Sequence, residues 1–127
     1  MNGFYGNIEA LALQNTNFRK VLYTGKNAQL VVMSLKPGEE IGLEVHPHVD
    51  QFFRFEMGRA KVVIDGQEQT VEANEVVVIP AGSQHNVTNT GNETLKLYTI
   101  YSPPNHPHGT IHRTKADADA YEQEHHR

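Results

Sequence analysis

The sequence predicts one all-β domain, a jelly roll or small barrel, and three observations carry that reading. From Val21 onward, short runs rich in valine, isoleucine, phenylalanine and threonine alternate with clusters of glycine, proline, asparagine and aspartate. Asp65-Gly66, set between two such runs, is a strong hairpin signal. The 127 residues suit a single hydrophobic core, and no linker, repeat or charge run divides them.

The elements follow in order. Residues 1–20 are mixed, and Ile8, Leu11 and Leu13 fit either a short strand or one helical turn. Strands are expected at Val21 to Tyr23 and, after Gly25-Lys26-Asn27, at Leu30 to Leu35. Lys36-Pro37-Gly38 ends the second, and a run from Ile41 to His46 stops at Pro47. Phe52 to Phe55, Ala60 to Ile64 and Thr70 to Glu72 come next, then Val76 to Ile79 ahead of Pro80-Ala81-Gly82. His85 to Asn89 and Leu95 to Tyr101 close the series. Leu30 to Met33 and Val76 to Ile79 are apolar at consecutive positions, so both faces of each strand are expected to be covered. A chain end or a partner subunit is the candidate cover, which makes a homodimer the expectation. Ser102-Pro103-Pro104 ends the β pattern. Asn105 to Arg113 reads as a loop, and the segment from Ser102 to Arg113 is expected to fold back over the barrel, with Gly109 allowing a sharp turn. Thr114, with Asp117 three residues on, fits the N-cap of a short polar helix through Ala116, Ala118 and Tyr121.

Composition removes several classes of function. Eleven Lys+Arg against fifteen Asp+Glu give a net charge of -4, which argues against nucleic-acid or anionic-membrane partners. No run approaches the roughly 20 apolar residues of a membrane span, and Met1 to Ala10 lacks the pattern of a signal peptide. A cytoplasmic protein is therefore expected. The absence of cysteine excludes disulfides, a thiol nucleophile and thiolate metal sites.

Eight histidines stand out in so acidic a chain. His46, His48 and His85 lie in or beside expected strands, and imidazole is the commonest protein ligand for divalent metals. The spacing around His85 is informative. Pro80, Gly82, His85 and Asn89 reproduce the second motif of the cupin superfamily, with Asn74 in place of its first glycine. Asparagine tolerates the positive φ that such a turn needs. The chain thus resembles the small single-domain cupins described as mannose-6-phosphate isomerase-like. That resemblance implies a double-stranded β-helix over about residues 28–101, followed by a tail of 102–127 within the same domain.

The first cupin motif fits in two registers. One takes His46 and His48 as its histidine pair, but puts Glu40 at the glycine and Phe52 or Phe53 at the glutamate. The other begins at Gly38, takes Glu44 and His46 as the pair, reaches Gln51 and ends on Gly58. The second keeps three positions in step and is preferred. It implies one divalent ion (iron, manganese, zinc or nickel) on Glu44, His46, Gln51 and His85, with His48 as a rim residue or alternative ligand. Glu44 and His46 are two apart, so on a strand they share a face. Two imidazoles with one carboxylate form a facial triad suited to Fe(II).

Other residues carry less. Phe53, Phe55 and Tyr98 are candidate pocket residues, although aromatic side chains on strands pack the core more often. His106, His108 and His112 are candidates for a second metal site or a lid, and His125 and His126 read as a disordered end. The functional expectation is a metal-dependent enzyme that isomerises or oxygenates a small polar molecule. The alternative is a cupin that binds or senses a sugar-like molecule without turnover.

Overall fold

The structure, a computed structural model, describes residues 2–125. The segment left open by the sequence is a helix, α1 (Ile8–Gln14), because Asn7 caps it by accepting the Ala10 N–H at 3.0 Å. Ten strands follow. They are β1 (Arg19–Thr24), β2 (Gln29–Leu35), β3 (Glu44–Val45), β4 (Asp50–Met57) and β5 (Arg59–Ile64), then β6 (Gln67–Glu72), β7 (Val76–Ile79), β8 (Gln84–Asn89), β9 (Leu95–Ser102) and β10 (Ile111–His112). Helix α2 (Lys115–His125) closes the described chain, and its capping residue Thr114 accepts the Asp117 N–H at 3.0 Å. His126 lies outside the described residues.

Two antiparallel sheets make up the jelly roll. Six strands run in the order β10-β1-β2-β9-β4-β7, and four in the order β3-β8-β5-β6. Between them Phe18, Met33, Leu35, Phe53, Phe55, Val87, Leu95 and Leu97 form the core. Burying each such side chain contributes roughly 1.5–3 kcal/mol. The turns match their chemistry. Asp65 and Gly66 have φ of 48° and 82°, and Asn74, where the family motif has glycine, has φ 73°.

Three local expectations need correction. The run from Ile41 to His46 yields only two strand residues, because Gly42 takes φ 110° and hands its N–H to Asn86 Oδ1. The tail is not all loop, since β10 pairs with β1 through Arg19↔His112 and Lys20↔Ile111. The third concerns cover. Val32, on the outer face of β2, is buried beneath α1, so a chain end supplies that cover. In β7, by contrast, Val76 and Val78 are 51% and 59% exposed, and only the face carrying Val77 and Ile79 meets the core. No helix of the described residues is long and apolar enough to cross a membrane.

Candidate metal centre

Strand register sorts the barrel interior into layers. At one end, Leu35 faces Leu95 across β2 and β9, and Asn89 faces Ala60 across β8 and β5. At the other end, Tyr101 stands opposite both Gln29 and Gln51, and His85 stands opposite both Glu44 and Ile64. Side chains alternate faces along each strand, so Gln51 shares its inward face with Phe53 and Phe55. The interior is therefore apolar at the closed end and polar at the mouth.

Three side chains converge there. Glu44 Oε1 lies 3.4 Å from His46 Nε2 and 4.0 Å from His85 Nε2, and one donor atom from each residue falls within 4.8 Å of the others. Donors bound about 2.1 Å from one ion are at most about 4.2 Å apart, so both of these separations suit a shared cation. His85 donates its Nδ1–H to the Ser83 carbonyl at 3.0 Å, which leaves the Nε2 lone pair facing inward. Gln51 donates from Nε2 to Thr99 Oγ1 at 3.0 Å, which leaves its Oε1 as an acceptor. His46 Nε2, His85 Nε2 and Gln51 Oε1 are all buried without a hydrogen-bond partner. The 3.4 Å approach of His46 to Glu44 is an electrostatic contact rather than an aligned hydrogen bond. Three orphaned acceptors beside one carboxylate form a donor set that fits a divalent cation.

The surrounding charges follow from burial and from Arg19. Burial pushes the Glu44 carboxyl up, but His46, Arg19 and His85 together outweigh it and hold it below the usual range. Burial, reinforced by Glu44, pushes the Tyr101 phenol up to about 12 against the opposing pull of Arg19 and Gln51, so its proton stays on. Burial and the Arg19 guanidinium push His106 down to about 3, and the same two causes lower His112. Both imidazoles are thus neutral. Tyr101 Oη and His106 Nε2 share a hydrogen bond at 3.2 Å, and Arg19 Nη1 donates to His112 Nδ1 at 3.2 Å.

Comparison with known proteins places this arrangement. The Cupin domain family matches residues 31–101, more than half of the chain. The chain belongs to that family. It is 52% identical over 125 residues to the uncharacterized protein YrkC of Bacillus subtilis (strain 168), covering 94% of this chain and 67% of that one. A crystal structure of a protein from Bacillus halodurans superposes with a TM-score of 0.91 at 50% identity, covering 92% of this cupin and 93% of that chain. More distantly, 78 residues are 33% identical to a mannose-1-phosphate guanylyltransferase of Escherichia coli (strain K12), covering 61% of this cupin and 16% of the enzyme.

The residues expected from the cupin motifs are distributed unevenly around the site. Glu44, His46 and His85 come together, and Gln51 presents its orphaned oxygen from the same buried layer. His48 is exposed on the turn before β4 and stands outside the cluster. Asn89 is a structural residue at the closed end, where it donates to the Leu35 and Glu93 carbonyls and accepts from Gly91 N–H. Phe53 and Phe55 stack in the core with ring centroids 6.2 Å apart. Tyr98 is a correction. It lies on the outward face of β9 against Phe52, at 6.2 Å, and Tyr101 takes the inward position. The tail histidines do not cluster with one another, since His106 meets Tyr101, His108 meets Thr24 and His112 meets Arg19.

Sequence reasoning missed Arg19. It sits in the mixed N-terminal stretch with no motif around it, and only the long-range pairing of β1 with β10 reveals it. The tail does fold back over the barrel. Gln29 holds it by accepting the Asn105 and His106 N–H groups at 3.0 Å each and donating to the His106 carbonyl at 2.7 Å. A cleft of about 440 Å³ remains between β3, this strap and α2, and Glu44 and His46 open into it.

Proposed function

We propose that this cupin holds one divalent metal ion on Glu44, His46 and His85, with Gln51 as a weaker fourth donor, and that it is an enzyme acting on a small oxygen-bearing molecule. The observation that carries the reading is the set of three buried, unpartnered acceptor atoms beside a single carboxylate. Leaving such atoms unsatisfied costs about 1–3 kcal/mol each, and a cation at their centre removes that cost. Two imidazoles and one carboxylate favour Fe(II), whose chemistry when bound is oxygenation or Lewis-acid activation of a carbonyl or enediol oxygen.

The protein's own groups prepare the site. Ser83 fixes the tautomer of His85, and Thr99 fixes the amide of Gln51. Burial and Glu44 keep the proton on the Tyr101 oxygen, so at neutral pH a neutral phenol, hydrogen-bonded to His106, stands at the mouth. The strap held by Gln29 forms one wall of the cleft into which Glu44 and His46 open. The same proposal includes a homodimer paired through the exposed Val76 and Val78 of edge strand β7, a cytoplasmic setting and no nucleic-acid partner.

Elemental analysis of protein purified from its own source tests the metal. One equivalent of iron per chain is expected, with loss of the metal on chelation and recovery with Fe(II). Zinc or manganese instead would favour isomerisation over oxygenation. Absence of any stoichiometric divalent ion, together with no affinity for added Fe(II), Mn(II) or Zn(II), would overturn the reading.

A further inference from the structure

Arg19 is unusual among the charged groups of this chain. Only 6% exposed, it projects from β1 into the barrel, and its Nε–H is buried without a partner. One of its amino groups is used by His112. The guanidinium also acts on Tyr101, Glu44 and His106, the groups that line the mouth. A buried guanidinium with an unpaired N–H is expensive unless an anion meets it.

The charge balance points the same way. Among the described residues, the buried ones include the cations Arg19 and Lys96 and no aspartate or glutamate. Lys96 is engaged elsewhere, by the Asn15 carbonyl near the end of α1. The enclosed carboxylate of Glu56 faces outward to Arg54, and Glu122 stands at the rim of the cleft. A divalent ion beside Glu44 and neutral imidazoles leaves one positive charge, and Arg19 raises it to two. Such a pocket attracts an anion, repels a cation and gives a neutral ligand no such help.

We infer that Arg19 is a specificity residue that receives the carboxylate of a small organic acid, through its free Nε–H, beside the Glu44–His46–His85 centre. This deepens the proposed function and rests on its metal reading. A guanidinium presents N–H donors in a planar fork that matches a carboxylate, which a lysine does not reproduce. The substrate class is then a 2-oxo or 2-hydroxy acid, whose carboxylate and adjacent oxygen are two anchors on one small molecule.

The test uses the full chain loaded with Co(II), whose visible absorption reports on the metal. Pyruvate and its uncharged analogue pyruvamide are titrated calorimetrically into wild type, Arg19→Gln and Arg19→Lys. Wild type is expected to bind pyruvate at least tenfold more tightly than pyruvamide. Arg19→Gln should lose that preference while keeping the Co(II) spectrum, with Co(II) affinity unchanged or raised because a neighbouring cation is gone, and Arg19→Lys should keep only part of it. Equal binding of the two probes to wild type, no pyruvate binding at all, or a preference that survives in Arg19→Gln would overturn the inference. If Arg19→Gln does not fold, Arg19→Lys decides, and an undiminished preference there overturns it. If wild type binds no Co(II), the metal reading fails. The same pair of probes on metal-free protein then judges Arg19 separately, with loss of the preference in Arg19→Gln supporting it and its persistence overturning it.

Discussion

Glu44→Gln separates the two registers of the first motif, because only one of them makes Glu44 a ligand. The substitution keeps the shape of the side chain and removes the single carboxylate of the cluster. Even two unit charges about 4 Å apart at an effective dielectric near 20 attract by about 4 kcal/mol, so losing the carboxylate beside a divalent ion should weaken binding by at least roughly a thousandfold. Arg19 makes the loss worse, since its field at the same site is no longer opposed. His46→Ala and His85→Ala each delete an orphaned Nε2 and should abolish binding at micromolar metal. Gln51→Ala removes a neutral amide oxygen, and the loss of one such donor costs about 1–2 kcal/mol, a factor of about five to thirty. His48 is exposed and outside the cluster, so His48→Ala should change affinity by no more than about twofold. The assay is competition between chelator-stripped protein and a chromophoric chelator for Co(II) or Zn(II). If His48→Ala proved as damaging as His46→Ala while Glu44→Gln bound normally, the pairing argued here would be wrong and His46 and His48 would be the true pair.

Three further outcomes follow from the scaffold. Gly58→Ala forces a side chain into φ 98° with its Cβ 3.1 Å from both the Leu95 Cα and the Thr94 oxygen, so the urea midpoint should fall by the equivalent of about 1–3 kcal/mol with an unchanged slope. Asn89→Ala strands two carbonyls and one N–H at the closed end and should cost about 3 kcal/mol or more, yet leave Co(II) affinity unaltered in the folded fraction. His106 has its folded pKa lowered to about 3 from an unfolded value near 6.5, so the unfolded chain takes the proton first as pH falls. Stability contributed by the neutral imidazole is complete above about pH 6.5 and is lost on the way down to about 3, by at most about 1.4 kcal/mol per pH unit. Thermal melts of chelated His106→Gln should therefore decline less steeply across that window than wild type, and parallel curves would refute the assignment.

What the sequence reveals about this site depends on whether a signal is local. Pro80, Gly82, His85 and Asn89 are fixed by one turn and one strand, so their spacing identifies them without knowledge of the fold. Asn74 is legible for the same reason, because a positive φ is a property of the residue itself. Tyr101 and Tyr98 are not separable in this way. Strand β9 is covered on one face by the core and on the other in part by α1, so its apolar residues fall at consecutive positions and the alternation that would mark the inward face is erased. The same cover explains Leu30 to Met33, whereas identical-looking valines in β7 lie half open to solvent. Arg19 and β10 are hidden for a third reason. They acquire meaning only by pairing across 93 residues of chain, as in the contact of Arg19 with His112.

The polar mouth exists only because register holds at the closed end. Gln29, Gln51, Tyr101, His85 and Glu44 occupy adjacent ladder positions on five strands, so a slip of one residue in any of them turns its contribution outward. The inward donor atoms of His46, His85 and Gln51 have no partner, so they do not themselves hold the register. The constraint comes from Phe53, Phe55, Leu95 and Leu97, which must remain inside, and from Asn89, which joins β8 to β2 and to the turn before β9. Each of those side chains stabilises the fold by a few kcal/mol, comparable with the cost of leaving three acceptors unpaired. The apolar half of the barrel therefore offsets the unfavourable polar half. A cation that fills the mouth returns that energy selectively to the register in which Glu44, His46 and His85 face one another.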